Sequence, residues 1–311
     1  MQFTTFTFLI FFTAVVAAYA ATQRLFLRNG LLLVASYVFY GWWDWRFLLL
    51  IALSTVVDFV AAGRIHRASA DSVRRAWLTL SCVTNLGALG LFKYYGFFAT
   101  SLSELFNSMG YQLDVFTLNV ILPVGISFYT FQTLSYTIDV YRREMEPERQ
   151  FLVFAVFVAF FPQLVAGPIE RGRTMLPQFR RIQPVTIDGF IRGISYVLMG
   201  LFAKLVLADN AAAIANQAFS SGSHNLGNTL TGTYAFAIQI YGDFAGYSSI
   251  AIGLGAMLGF KISPNFCQPY LATSFREFWQ RWHISLSSWL RDYLYIRWVG
   301  TEADPGRPIA I

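Results

Sequence analysis

The chain has 311 residues, of which 56% are hydrophobic and only 13% charged, and its mean hydropathy is +0.49. A soluble globular chain carries roughly twice that charge, so this composition falls outside the soluble class. The net charge of +6 comes mostly from arginine in short loops; it bears on topology before any anionic partner, and no nucleic-acid partner is implied. Apolar runs of membrane-spanning length recur from end to end, and such runs satisfy their backbone hydrogen bonds internally as helices. The period-two alternation of a membrane barrel is absent. The expected fold class is all-α: a polytopic helical membrane protein, read as a single unit over 1–311.

The run Phe6 to Ala21 ends in a small-residue stretch like a signal-peptide cleavage site. No basic residue precedes it, so we read an uncleaved first span. Arg24 and Arg28 mark a cytoplasmic loop. Leu31 to Gly63 is then 33 residues long, near 50 Å as a helix and too long for one straight crossing of a core about 30 Å thick. Gly41-Trp-Trp-Asp-Trp-Arg46 interrupts it, and arginines follow at 64, 67, 74 and 75. A hairpin with both ends cytoplasmic fits, with one tilted helix as the alternative.

Trp77 to Phe98 crosses next, followed by an external loop from Ala99 to Thr117 without Lys or Arg, and Leu118 to Tyr141 returns. Phe151 to Phe161 is only 11 apolar residues before Pro162, with basic residues on both sides. So short a segment between basic loops predicts a re-entrant element around a cavity near 162–168, since irregular backbone at membrane depth must be surrounded by protein or water. Phe190 to Leu207 crosses outward, the stretch 208–229 forms an external loop, and Leu230 to Phe260 crosses back, with Gly242, Gly246, Gly255 and Gly259 suited to close helix packing. Cys82 and Cys267 read as small core residues rather than a disulfide or metal pair.

The segment SFREFWQRWHISLSSWLRDYLYIRW, 274–298, gathers four Trp, four Arg and one of three His. As one continuous helix it places Phe275, Phe278, Trp279, Trp282, Leu286, Trp289, Leu290 and Tyr293 on one face, with His283 at the border. That pattern predicts an interfacial helix lying in the headgroup plane on the cytoplasmic side. His66 and His224 fall in polar loops and read as solvated. His283 has the near-neutral intrinsic basicity to take a proton from a hydroxyl acceptor. Asp58 and Asp139 read as interfacial, whereas Lys204 and Asp243 either pair with each other, line a pore or flank an acceptor channel. No nucleophile elbow, zinc-protease helix, Walker loop or Cys-x-x-Cys is present, and no metal site is indicated.

Phe161-Pro-Gln-Leu-Val-Ala-Gly-Pro-Ile169 with Glu170-Arg171, and Phe275 through Tyr295, resemble signature blocks of the membrane-bound O-acyltransferase family. Phe128 through Tyr141 is a third block in the right order, and together they resemble the bacterial, alginate O-acetyltransferase-like branch. The resemblance implies re-entrant elements around a central cavity in a multi-pass protein of the bacterial inner membrane. It implies no bound cofactor. An acyl group, acetyl in that branch, passes from a cytoplasmic thioester such as acetyl-CoA or an acyl carrier to hydroxyls of an exported polysaccharide or a relay protein, with periplasmic acetylation proteins as partners. His283 matches the earlier of two histidines of that branch and has a supporting role. Gln163, Trp279, Arg281, Trp282, Ser285 and Arg291 match the substrate- and donor-side wall. The family's general-base histidine lies downstream, and no histidine follows His283 here. The expectation is a C-terminally incomplete domain without activity by itself. The rival readings are a transporter or channel using Lys204 and Asp243, and a non-catalytic membrane scaffold.

Overall fold

The computed structural model describes residues 1–110, 123–165, 167–220 and 225–295. The readings made of Ala166, His224, the start of the third block's span at Leu118 and the stretch after Tyr295 lie outside these. Among the described residues every regular element is helical. Two apolar stretches, Leu25–Arg67 and Ile187–Ser220, are long and apolar enough to cross a bilayer core.

Helix α1 (Phe6–Ala21) starts at Thr5, whose hydroxyl accepts the Phe8 N–H at 3.3 Å. Helices α2 (Leu25–Asp44) and α3 (Leu48–Arg67) are joined where the sequence predicts a turn. Asp44 leaves helical geometry at φ −159°, ψ 111°, its carboxylate accepts the Arg46 N–H at 3.0 Å, and one tight turn over Trp45–Phe47 restarts the chain. Both outer ends return to the same side. Arg28 donates to the Gln183 carbonyl at 2.6 Å, while Arg64 and Arg67 share a surface pocket with Glu146–Arg149. Arg180, three residues before Gln183, pairs with Glu148 at 2.7 Å, which ties these two corners together. The hairpin is therefore the arrangement adopted, and its ends define one arginine-rich face.

Helix α4 (Asp71–Leu89) continues through a wide turn at Gly90–Tyr94 into α5 (Tyr95–Ser108). The external loop expected from Ala99 is thus helical to Ser108, where Leu102, Leu105 and Phe106 recur at helical spacing; the absence of Lys and Arg bears on its side of the membrane and not on its secondary structure. Helix α6 (Ile126–Tyr141) begins at Gly125, with φ +76°, where a Cβ would lie 2.4 Å from the Leu164 carbonyl oxygen. Only glycine permits both that conformation and that approach.

The short apolar segment forms α7 (Phe151–Ala159) and α8 (Phe161–Leu164), broken at Phe160 just before Pro162. Its start is held by the Glu148 carboxylate, which accepts the N–H groups of Arg149 and Gln150 at 2.8 and 3.0 Å. The chain then comes back to α9 (Gly172–Phe179), and Gly172 packs on Met145, beside the point of entry. Phe154, Phe157, Phe160 and Phe161 are completely buried, so this segment lies in the core.

Helix α10 (Ile187–Leu201) runs through a wide turn at Phe202–Ala208 into α11 (Asp209–Ser220), and α12 (Leu226–Met257) packs back along all three. The loop expected from Ala208 is therefore helical for its first half. Two of the four predicted glycines, Gly242 and Gly246, lie at the crossing: a Cβ on Gly246 would lie 2.8 Å from the carbonyl of Gly200, a glycine outside the predicted set, and one on Gly242 2.9 Å from that of Ala203, whereas Gly255 and Gly259 face Ile262 and Pro184 instead. Lys204 sits at this crossing, between Asp209 (2.7 Å) and Asp243 (2.6 Å).

Asp58 departs from its interfacial reading. It is fully buried between α3, α4 and α6, where it accepts hydrogen bonds from Ser81 and Asn85 (2.9 Å) and faces Thr137 at 3.4 Å. Hydroxyl and amide groups from neighbouring helices compensate for its desolvation, and among the described residues no cation pairs with it.

Candidate functional site around His283

The segment 274–295 is not one helix. Ser274 caps α13 (Phe275–Arg281), its hydroxyl accepting the Glu277 N–H at 3.2 Å, and the Glu277 carboxylate reaches back to the Thr273 N–H at 2.7 Å. This reciprocal arrangement of Ser and a Glu three residues on marks a helix start that is legible in the sequence. Trp282 then becomes extended and His283 adopts the left-handed conformation, at φ 45°, ψ 53°. Helix α14 (Ile284–Leu290) follows, ending in a wide turn over Arg291–Tyr295.

A side chain absent from the sequence-based site holds that break. Asn265 is 1% exposed. Its backbone carbonyl accepts the Ile284 N–H at 2.9 Å, and its Oδ1 accepts the Ser285 N–H at 3.3 Å and the Ser285 hydroxyl at 2.9 Å. Its Nδ2 faces Ser248 of α12 at 3.4 Å. The bond from the Cys267 N–H to the Arg281 carbonyl, at 2.9 Å, fixes the preceding turn. A residue with a Cβ in the left-handed region costs roughly 1–3 kcal/mol and persists where the surroundings over-determine it.

Beyond the break the chain does not lie flat on a surface, as expected, but runs beside α6. The His283 ring lies 6.4 Å from Phe128, the Trp289 indole N–H donates to the Phe131 carbonyl at 2.9 Å, and the Tyr293 hydroxyl donates to Asp139 at 2.6 Å. From Phe128 to Asp139 is 11 residues, about 16 Å of helix. The Tyr293 end is the arginine-rich face: Arg171 and Arg142 stack on its ring at 4.6 and 5.2 Å, Arg171 pairs with Asp292 at 3.2 Å, and Arg173 pairs with Asp139 at 3.0 Å. Asp139 is thus buried and paired at that face. The apolar face of the predicted helix is spent on α6, and His283 sits roughly 16 Å inward from the arginines.

The imidazole lies on the break, outside any long helix, edge-on to Phe244 of α12 at 4.6 Å. Its Nε2 is buried without a hydrogen-bond partner. Buried among aromatic rings, a neutral imidazole offers a lone pair or an N–H at this nitrogen, depending on tautomer.

The other expected site residues divide into groups. Trp282 and Ser285 flank His283, but Trp282 is packed on Phe278 at 5.5 Å and against Phe266 at 5.1 Å, and the Ser285 hydroxyl is committed to Asn265. Arg281 is paired with Glu277 at 2.6 Å. Trp279 is half-exposed on α13, and Arg291, paired with its neighbour Asp292, lies at the arginine-rich end. Gln163 is at the α8 elbow instead, where its amide donates to the Gln132 Oε1 at 3.1 Å and its own Oε1 is buried and unpartnered. Cys82 and Cys267 are both free; Cys267 is exposed rather than in the core.

Long apolar helices with broadly exposed Leu, Phe and Val side chains, packed around a buried elbow, place this chain among helical membrane proteins. More narrowly, a sequence profile of the membrane-bound O-acyltransferase family matches residues 147–306, and the chain belongs to that family. It is 47% identical over 270 residues to the protein named probable alginate O-acetylase AlgI of Pseudomonas aeruginosa, covering 86% of this chain and 52% of that one. It is 35% identical to a peptidoglycan O-acetyltransferase of Helicobacter pylori, covering 85% and 54%. A teichoic acid D-alanyltransferase of Bacillus subtilis is 30% identical over 58% of this chain and 47% of its own length. The chain spans about half the length of the curated relatives it matches.

Proposed function

We propose that the protein, in its complete form, is a multi-pass O-acyltransferase subunit of the bacterial inner membrane. It moves an acyl group, acetyl in this reading, from a cytoplasmic thioester to hydroxyls of an exported polysaccharide or a relay protein, working with periplasmic acetylation proteins. In this reading α7 and α8 are a re-entrant element and the arginine-rich face is cytoplasmic, as the rule for basic loops suggests. Family membership supplies the reaction class. The observation that carries the site is the buried, unpartnered His283 imidazole, held in a break beside the first turn of α6.

In the reaction the acceptor oxygen bonds to the thioester carbonyl carbon, the C–S bond breaks, and the acceptor proton ends on the thiolate. The unpaired nitrogen of His283 is suited to orienting the acceptor hydroxyl by a hydrogen bond, which is the supporting role assigned here. Trp279, Trp282, Arg281, Ser285 and Arg291 belong to the donor side, most of them through their packing, and Gln163 belongs to the cavity wall. Lys204 and Asp243 are read as a structural ion pair.

The test is transfer of radiolabelled acetyl from acetyl-CoA or an acyl carrier to glycan, in membranes carrying the complete open reading frame. His283→Ala is expected to lower transfer by about 10²-fold, a typical cost of losing a positioned catalytic contact. Full activity in that variant would remove His283 from the site.

A further inference from the structure

The outward stripe of α3 changes character along its length. Leu49, Leu53, Val56, Val60, Arg64 and Arg67 recur three or four residues apart and are all exposed, so they fall within about 80° of arc on the helix. From Leu49 to Val60 the stripe is apolar for about 16 Å, close to half of a bilayer core about 30 Å thick. It then ends in the two arginines. Among the described residues neither makes an ion pair: the nearby Asp71 is taken by Arg74 and Arg75, and the Arg64 guanidinium stands over the Trp77 ring at 5.8 Å.

Beside that junction is a cleft of about 520 Å³. On α3 it is lined by Phe59, Val60 and Gly63 and then by Arg64, His66 and Arg67, and residues 146–149 supply its remaining wall. Of the two acids in that wall, Glu148 is committed to Arg180 and to the N–H groups of Arg149 and Gln150. Glu146 reaches only Arg149, at 3.9 Å, and both of those side chains are largely exposed. Cations therefore exceed free acids around the cleft. Gly63 adds a second observation. A glycine inside a helix is destabilising, and no close neighbour requires this one, since a Cβ there would meet no atom within 4 Å. The space beside it is open to a ligand.

We propose that this junction binds an anionic phospholipid, with the phosphodiester among Arg64, Arg67 and His66 and one acyl chain along Val60, Val56, Leu53 and Leu49. The excess of cations selects an anionic headgroup over a zwitterionic one, whose own ammonium neutralises its phosphate. The apolar stripe selects a lipid over a soluble phosphate compound, which satisfies the arginines but leaves that face unused. The site goes beyond the acyl-transfer reading and needs only the membrane embedding that family membership supplies.

The experiment titrates the complete protein in detergent with phosphatidylglycerol or phosphatidylcholine and reads bound lipid by native mass spectrometry. Phosphatidylglycerol is expected to bind about 10-fold more tightly or better. At the usual weight of a basic side chain beside an anionic lipid, Arg64→Gln/Arg67→Gln should weaken it about 30-fold and leave phosphatidylcholine unchanged. Gly63→Leu fills the cleft where the backbone has room, so it should keep the melting temperature and weaken phosphatidylglycerol about 10-fold. Equal affinity for the two lipids, or phosphatidylglycerol binding unchanged in both variants, overturns the site. Displacement of the lipid by an equal concentration of glycerol 3-phosphate or CoA also overturns it, because the cleft then reads phosphate alone.

Discussion

Replacing Asn265 by Ala is expected to damage the site without touching the imidazole. The change deletes the Oδ1 that accepts from the Ser285 N–H (3.3 Å) and hydroxyl (2.9 Å), together with the longer contact to Ser248. Each such bond contributes about 0.5–1.5 kcal/mol, and the stranded N–H adds its desolvation cost, so about 2–3 kcal/mol is lost in all. Part of that energy holds His283 at φ 45°, a conformation costing roughly 1–3 kcal/mol that relaxes once the clamp is weakened. Displacing the ring by an ångström is expected to lower kcat about 10²-fold with little change in donor KM. Asn265→Asp keeps an acceptor in place and sets negative charge at the start of α14, so it should recover most of the activity. Thermal unfolding in detergent separates the folded fraction from kcat. Wild-type kcat in folded Asn265→Ala would refute the clamp.

A second perturbation tests the buried polar cluster around Asp58. Asp58→Ala strands donors on Ser81, Asn85 and Thr137. At about 0.6 kcal/mol for each interhelical bond in a membrane protein, and up to about 1.7 kcal/mol, the expected loss is ~2–4 kcal/mol, read as a lower melting temperature with wild-type substrate KM.

Charge and length made much of the scaffold legible. The turn at Asp44, the short apolar segment between basic loops and the glycine-lined crossing of α10 with α12 each follow from a limit on length, solvation or volume that the residues display. What stayed hidden depends on long-range partners. Asp58 sits near a run of arginines in sequence, and only the meeting of α3, α4 and α6 reveals hydroxyls and an amide enough to bury it. The break at His283 was concealed because Trp-His-Ile is compatible with a helix, and the competing hydrogen bonds come from Asn265, 18 residues earlier. The Ser274–Glu277 cap was the available local signal, since a helix that starts there need not continue through 298.

The break also explains why the histidine occurs among so many aromatic and basic residues. On an unbroken surface helix the imidazole would be hydrated, with an ordinary pKa and no fixed direction. Turning the chain at Trp282 and His283 lets the same segment do two jobs. Its last turn binds the arginine-rich face through Tyr293 and Asp292, while its first residue is carried inward to Phe128 and Phe244. The aromatic rings keep His283 from water, and Asn265 supplies the geometry that the ring cannot impose on its own backbone. Orientation and exclusion of water are thus set by different groups, so Asn265→Ala should lower kcat with little added access to the ring, whereas Phe244→Ala should admit water, read as faster chemical modification of the imidazole in the folded protein. Equal modification rates in the two folded variants would refute the division of roles.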